Sequence, residues 1–204
     1  MKRLTIILAL VVLSTPALYG AREWSLNLSY ATAAPTGNLG NYIDRYSWVG
    51  FSTNLAYHFD DHNYVGIHTG WQRFDALYRN VTQEIPTGAV YGSQLRIVSA
   101  VPLMVTIAHN LGDPIDAVQP YMSLGAGMYF MTPKLEIGMY QFTNSTTHFG
   151  LMPSVGMKFR VDRKSSLDVS FDYNAAVDSG ENFAGGEDNS FSWIGIKLGF
   201  TFGQ

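Results

Sequence analysis

Charged residues make up 14% of the 204 residues, where an ordinary soluble domain carries about 25%, so water is not expected to cover the whole surface. Setting Lys2 and Arg3 aside leaves 11 basic residues against 16 acidic, a net charge of −5, which gives no footing for nucleic-acid binding. The chain has no Cys, which excludes disulfides, thiolate metal sites and a lipid-modified N-terminal cysteine.

Met1-Lys2-Arg3 is a short basic region, Leu4 to Leu13 an apolar-rich run of ten, and Ser14 to Ala21 a small-residue stretch. That order predicts a secretory signal peptide over residues 1–20, cleaved after Ala17 or Gly20. The run is too short for a spanning helix, which needs about 20 apolar residues. Residues 21–204 show no linker and no low-complexity tract, and are expected to form one domain.

Strict alternation then recurs along the chain. The first predicted strand, Trp24 to Ala33, sets Trp24, Leu26, Leu28 and Tyr30 against Ser25, Asn27, Ser29 and Ala31. After a loop from Pro35 to about Tyr46, the second runs from Trp48 to Phe59 and turns at Asp60-Asp61-His62-Asn63. The third, Tyr64 to Phe74, leads to a loop holding Pro86-Thr87-Gly88, and the fourth spans Ser93 to Ala108 with a bulge or local kink expected at Pro102. The fifth starts near Pro120, the sixth follows Asn144-Ser145-Thr146, and Asp162-Arg163-Lys164-Ser165 turns into the seventh, Ser166 to Ala175. A polar loop from Ala176 to Ser190 precedes the eighth, which carries Ile194, Ile196, Leu198, Phe200 and Phe202 opposite Trp193, Gly195, Lys197, Gly199 and Thr201. Eight strands joined by alternating long and short connections predict an antiparallel up-and-down β-barrel, with the long loops at one end and both termini at the other.

Period two does not say which face is inside. Volume does: eight strands enclose a space just wide enough for side chains to fill it, and the aromatic and branched faces would overcrowd it. The opposite faces, mostly Gly, Ser, Ala, Asn and a few charges, suit a narrow lumen. With the apolar faces outward, Trp24, Tyr57, Phe59, Phe159, Phe200 and Phe202 fall near the termini, and Tyr30, Phe51, Trp71, Phe130, Phe149 and Tyr173 toward the long loops. Two aromatic girdles around an apolar band are the pattern of a transmembrane barrel.

Several short motifs recur in order: Pro35-Thr36-Gly37, Phe59-Asp60-Asp61, Val101-Pro102-Leu103-Met104, Pro120-Tyr121 with Gly125-Ala126-Gly127, and the closing Gly199-Phe200-Thr201-Phe202. With them the chain resembles the small Gram-negative outer-membrane β-barrel family, the OmpX-like eight-stranded group, over nearly all of its mature length. The resemblance implies an outer-membrane location with periplasmic termini and extracellular long loops. It also implies outer-membrane lipids as partners, lipopolysaccharide among them, and handling by the barrel-assembly machinery, although this chain adds Gly203-Gln204 after the aromatic end that members commonly present. Membership does not name an activity. Some eight-stranded outer-membrane barrels resemble lipid A hydrolases with a His and a Ser on one strand face, but none of His58, His62, His68, His109 or His148 has a Ser two residues on. No enzyme activity, cofactor or metal site is expected.

Two groups of residues are candidates for a site. Lys158 and Arg160 should lie beside Asp168, and Lys197 beside Ser170 and diagonal to Asp168 and Asp172; with Arg96 they form an expected lumen ion-pair ladder, since buried charges must be paired. Its role is taken as structural, the alternative being a narrow path for ions. Beyond Phe130 the fifth strand swaps faces, turning Met131, Leu135, Ile137 and Met139 inward and Thr132, Lys134 and Glu136 outward. That reads as an apolar plug at the outer rim or, alternatively, a small site for a hydrophobic compound. The function expected is a structural or surface-interaction barrel with a lumen closed by polar and charged side chains, against a narrow channel or binding barrel.

Overall fold

The computed structural model of the chain describes residues 24–85, 88–113, 116–138, 140–177 and 190–203. The expected signal peptide, Met139 and the acidic loop residues Asp178, Glu181, Glu187 and Asp188 lie outside these residues.

The strands are β1 (Trp24–Thr36), β2 (Val49–His58), β3 (Asn63–Ile85), β4 (Gly88–Asn110), β5 (Val118–Ile137), β6 (Tyr140–Thr143), β7 (Thr146–Asp162), β8 (Ser165–Ala176) and β9 (Phe191–Phe202), with one short helix, α1 (Gly37–Tyr42), between β1 and β2. All pairings are antiparallel, and the order β4-β3-β2-β1-β9-β8-β7-β5 closes on itself through β4–β5. β5 pairs with β7 from Val118 to Met131 and with β6 from Lys134 to Ile137. β6 and β7 are therefore two parts of one barrel strand, interrupted at Asn144-Ser145, and the barrel is an eight-stranded transmembrane-type β-barrel.

Side chains sort by parity as the volume argument requires. On β8, Ser166, Asp168, Ser170, Asp172 and Asn174 are buried, while Phe171 and Tyr173 are about half exposed on the outer wall. Tyr30, Phe51 and Trp71 stand in one register row across β1, β2 and β3, the last two rings 6.4 Å apart. Aromatic neighbours on an outer wall are what a lipid interface selects.

Three elements differ from the sequence expectation. β3 continues eleven residues past Phe74 and β4 begins five before Ser93, so the expected loop at Pro86-Thr87-Gly88 is only the tip of a long hairpin. The alternation was masked because the inward positions turn apolar at Phe74 and Ala76, and because the register shifts between Tyr78 and Val81. The loop from Pro35 to Tyr46 holds α1, whose Leu39 is fully buried, as is Ile43 just after it.

Candidate functional site

The lumen is built in two layers. Toward the termini it is polar. Lys158 stands opposite Asp168 in the β7–β8 register, with its Nζ 4.6 Å from the ring centre of Tyr64 and 5.3 Å from that of Tyr121. Tyr121 donates its hydroxyl to both Asp168 oxygens, at 3.0 and 3.2 Å. The ring fits because Gly156 lies beneath it: a Cβ there would come within 2.6 Å of Tyr121 Cζ. One strand further, Lys197 Nζ is 3.1 Å from Asp172 Oδ1 and 3.4 Å from His68 Nε2, and Asn174 donates to the other Asp172 oxygen. Asn174 in turn accepts from the Tyr129 hydroxyl at 2.9 Å. Each buried carboxylate thus meets a cation or a hydroxyl, as desolvated charge demands.

The four ladder residues Lys158, Asp168, Asp172 and Lys197 share this layer, but only Lys197 and Asp172 are in direct ion-pair contact among them. Tyr121 takes Asp168. Arg160 and Arg96 do not join them. Arg160 is exposed at the end of β7, still paired with Ser166 just ahead of the register shift before Asp162. Arg96 lies on the part of β4 that rises toward the long loops, between the rings of Tyr42 and Tyr78 at 4.8 and 4.7 Å.

Toward the long loops the lumen is apolar. Phe74, Val98, Met104, Tyr129, Met131, Phe191 and Trp193 pack in one buried cluster that Leu39 and Ile43 close from above. Trp193 meets Tyr129 and Phe74 edge-on, at 5.2 and 5.7 Å between ring centres. Met131 belongs to this cluster, and Ile137 is buried nearer the rim with Leu135 half-buried beside it. Thr132 is exposed, and Lys134 and Glu136, half-buried on that same outer face, pair with each other at 2.5 Å. His148 Nδ1 reaches the Val177 carbonyl at 3.1 Å, so that nitrogen carries the hydrogen and Nε2 accepts from the Thr146 hydroxyl at 2.8 Å. Both residues are buried, and Phe191 packs edge-on against the imidazole.

The spaces described among these lumen residues are small. A cavity of about 60 Å³ lies in the polar layer, bordered by Asn54, His68, Tyr121, Lys158 and Lys197, and another of about 20 Å³ lies nearer Gln72 and Trp193. Among the described residues no group of three or more His, Asp or Glu is arranged to hold a metal ion.

Sequence reasoning missed the tyrosines as partners of the charges and α1 as a lumen element. The signal for α1 was present: Leu39, Tyr42 and Ile43 stand at the i, i+3, i+4 spacing of one helical face.

Residues 5–202 match the family model described as outer membrane protein beta-barrel domain. Among solved structures the chain is similar to Neisserial surface protein A, NspA, at 15% identity over 90% of this chain and 98% of that one, with a TM-score of 0.53. It is also similar to the outer membrane protein OprG from Pseudomonas aeruginosa, at 11% identity over 88% of this chain and 94% of that one, with a TM-score of 0.51. At these identities the likeness is one of fold. No curated protein matches the chain.

Proposed function

The chain belongs to the outer membrane protein beta-barrel domain family, and on that premise we propose that it is a sealed barrel with a structural or surface-interaction role, not a channel. The observation that carries this reading is the apolar layer. Leu39 and Ile43 are fully buried over Phe74, Tyr129 and Trp193, and the cavities beneath measure about 60 and 20 Å³. By this measure one water needs about 10–15 Å³, so the cavities hold only a few waters, and the apolar layer above them interrupts the path of a hydrated ion. The polar layer supports the same reading, because its charges are met by one another or by tyrosines and leave little for a solute to bind.

In this reading residues 1–20 direct export, the termini face the periplasm and α1 faces outward with the long loops. Outer-membrane lipids, lipopolysaccharide included, contact the apolar wall, and the barrel-assembly machinery inserts it. In this reading neither hydroxyl–histidine pair of the described residues is catalytic: Thr146–His148 is buried under Phe191, and Ser25, 2.8 Å from His58 Nε2, is itself buried. Planar-bilayer recording of the purified barrel is the test. The expected trace shows no discrete steps above the bare lipid; steps that scale with salt concentration would overturn the reading.

A further inference from the structure

We infer that the extracellular mouth of the barrel is a binding site for a small monocarboxylate with an apolar tail, and that α1 occupies it as an internal stand-in. α1 is poorly suited to exist on its own account. Two of its six residues are Gly and two are Asn, and Thr36 at its N-cap makes no side-chain capping bond, so helix propensity and capping both fail it. What holds it is what it inserts: two aliphatic side chains, Leu39 and Ile43, into the apolar cluster, and one acceptor, the Tyr42 carbonyl, to Arg96 Nη1 at 3.1 Å. An apolar body with one oxygen acceptor is the description of the ligand.

The surroundings of Arg96 name the charge. Among the described residues no carboxylate forms an ion pair with it; Asp44, the nearest in sequence to α1, accepts instead from the Tyr78 hydroxyl at 2.8 Å. Its Nε is buried and has no hydrogen-bond partner among the described residues. Gln94, two residues away on the same inward face, is fully buried, accepts from Arg96 Nη2 at 3.3 Å, and leaves its own amide nitrogen with no acceptor. Buried donors without acceptors are costly and uncommon, and here one belongs to the Arg96 cation and the other stands beside it. A carboxylate in place of the Tyr42 carbonyl would add charge-assisted bonds where α1 offers one neutral oxygen. Across β4–β5 the same two residues pair with Ile137 and Leu135, which puts an apolar wall beside the donors.

The segment is also tied so that it can leave. Thr36 donates to Ser192 at 2.9 Å at one end, and Ser47 and Ala33 exchange two backbone bonds, 2.8 and 2.9 Å, at the other. Between these points side-chain bonds join Asn38 to Ser190, Asp44 to Tyr78 and Tyr46 to Thr32, and breaking them lets the chain swing out without unpairing the strands of the wall. This inference adds to the sealed-barrel reading and does not rest on it, since conductance and ligand binding are read separately.

The test uses the mature full chain in lipid nanodiscs with octanoate as probe, followed by the amide resonances of residues 39–43 and the side-chain amide of Gln94. Octanoate is expected to shift both sets saturably, and octanol to bind about tenfold or more weakly, the ratio that loss of a charge-assisted hydrogen bond gives. Arg96→Gln should weaken octanoate by a similar factor. Gln94→Leu, which keeps the contact between Arg96 and α1, should weaken it without moving the free-state resonances of α1. Leu39→Ala should tighten it severalfold by raising the fraction of open mouths. Folding of each variant is checked by its migration on unheated gels. Octanoate binding no better than octanol, or shifts confined to the outer wall, would overturn the proposal.

Discussion

The two halves of the lumen solve the same problem, filling a narrow barrel, with opposite chemistry. Near the termini, Lys158, Asp168, Asp172, Lys197, His68 and Tyr121 fill it with charges that need one another; near the long loops, Phe74, Tyr129, Met131 and Trp193 fill it with shape, completed by α1. The polar half is held entirely by wall strands, so each partner is placed by register. The apolar half borrows its last two side chains from a loop. The first arrangement tolerates no missing partner, whereas the second can be opened and refilled.

The sharpest way to break that contrast is to remove one member of the ion pair. Asp172→Ala removes the one carboxylate in ion-pair contact with the Lys197 ammonium among the described residues, leaving it His68 and Met152 as hydrogen-bond partners. Urea unfolding of the barrel in phospholipid vesicles should show a loss of about 3–5 kcal/mol, because the remaining charge is uncompensated. Replacing both residues, Asp172→Leu with Lys197→Met, should restore most of it, since a buried pair is often worth no more than apolar groups of the same size. A double variant as unstable as the single would mean that the pair fixes the fold in another way.

In the apolar half the corresponding change is graded. Leu39→Ala removes a fully buried side chain and should cost about 2–3 kcal/mol, toward the low end for buried Leu truncations, because α1 can detach and let the site relax. Leu39→Met, which keeps the volume, should cost less than about 1.5 kcal/mol. The same unfolding assay reads both. If Leu39→Ala proved as damaging as Asp172→Ala, α1 would be part of the barrel frame and not its removable cover.

This contrast also explains what the sequence could reveal. The wall was legible because a strand between lipid and a polar lumen must alternate, and Ser166 to Ala175 does so at every position. Strand count, closure, orientation of faces and the neighbours of Asp168 and Asp172 follow from that alternation and from short turns. Where the lumen is itself apolar, both faces carry the same residue types and the period weakens, so the upper parts of β3 and β4 read as loop. Alternation also gives direction and not height: Arg96 and Arg160 face inward by parity, yet one sits above the carboxylates and the other is exposed at the rim, at the end of β7. Nor does it describe reach, which is why the Tyr121 hydroxyl, and not the Lys158 ammonium, is the group on Asp168.

The smallest expected effect comes from a carboxylate with as many partners as Asp172 but set in water. Asp60, in the β2–β3 turn, accepts from the backbone of His62 and Asn63 at 2.7 and 2.6 Å and from the Asn63 side chain at 2.8 and 3.0 Å. The Asn63 side chain and then the His62 backbone hold its pKa below the usual carboxylate range. A lowered folded-state pKa means that the turn gains stability above the unfolded value, about 3.9, and loses it as pH falls through the folded one. Asp60→Asn keeps an acceptor for the backbone and removes the titration. The difference in unfolding midpoint between wild type and this variant should therefore be slight at neutral pH and vanish below the pKa of the folded turn. Because Asp60 is fully solvated, water competes for every bond that it makes, and its removal should leave the barrel standing where removal of Asp172 does not. An Asp60 effect as large as that of Asp172 would show that turn closure, and not burial of charge, sets the stability of the terminal half.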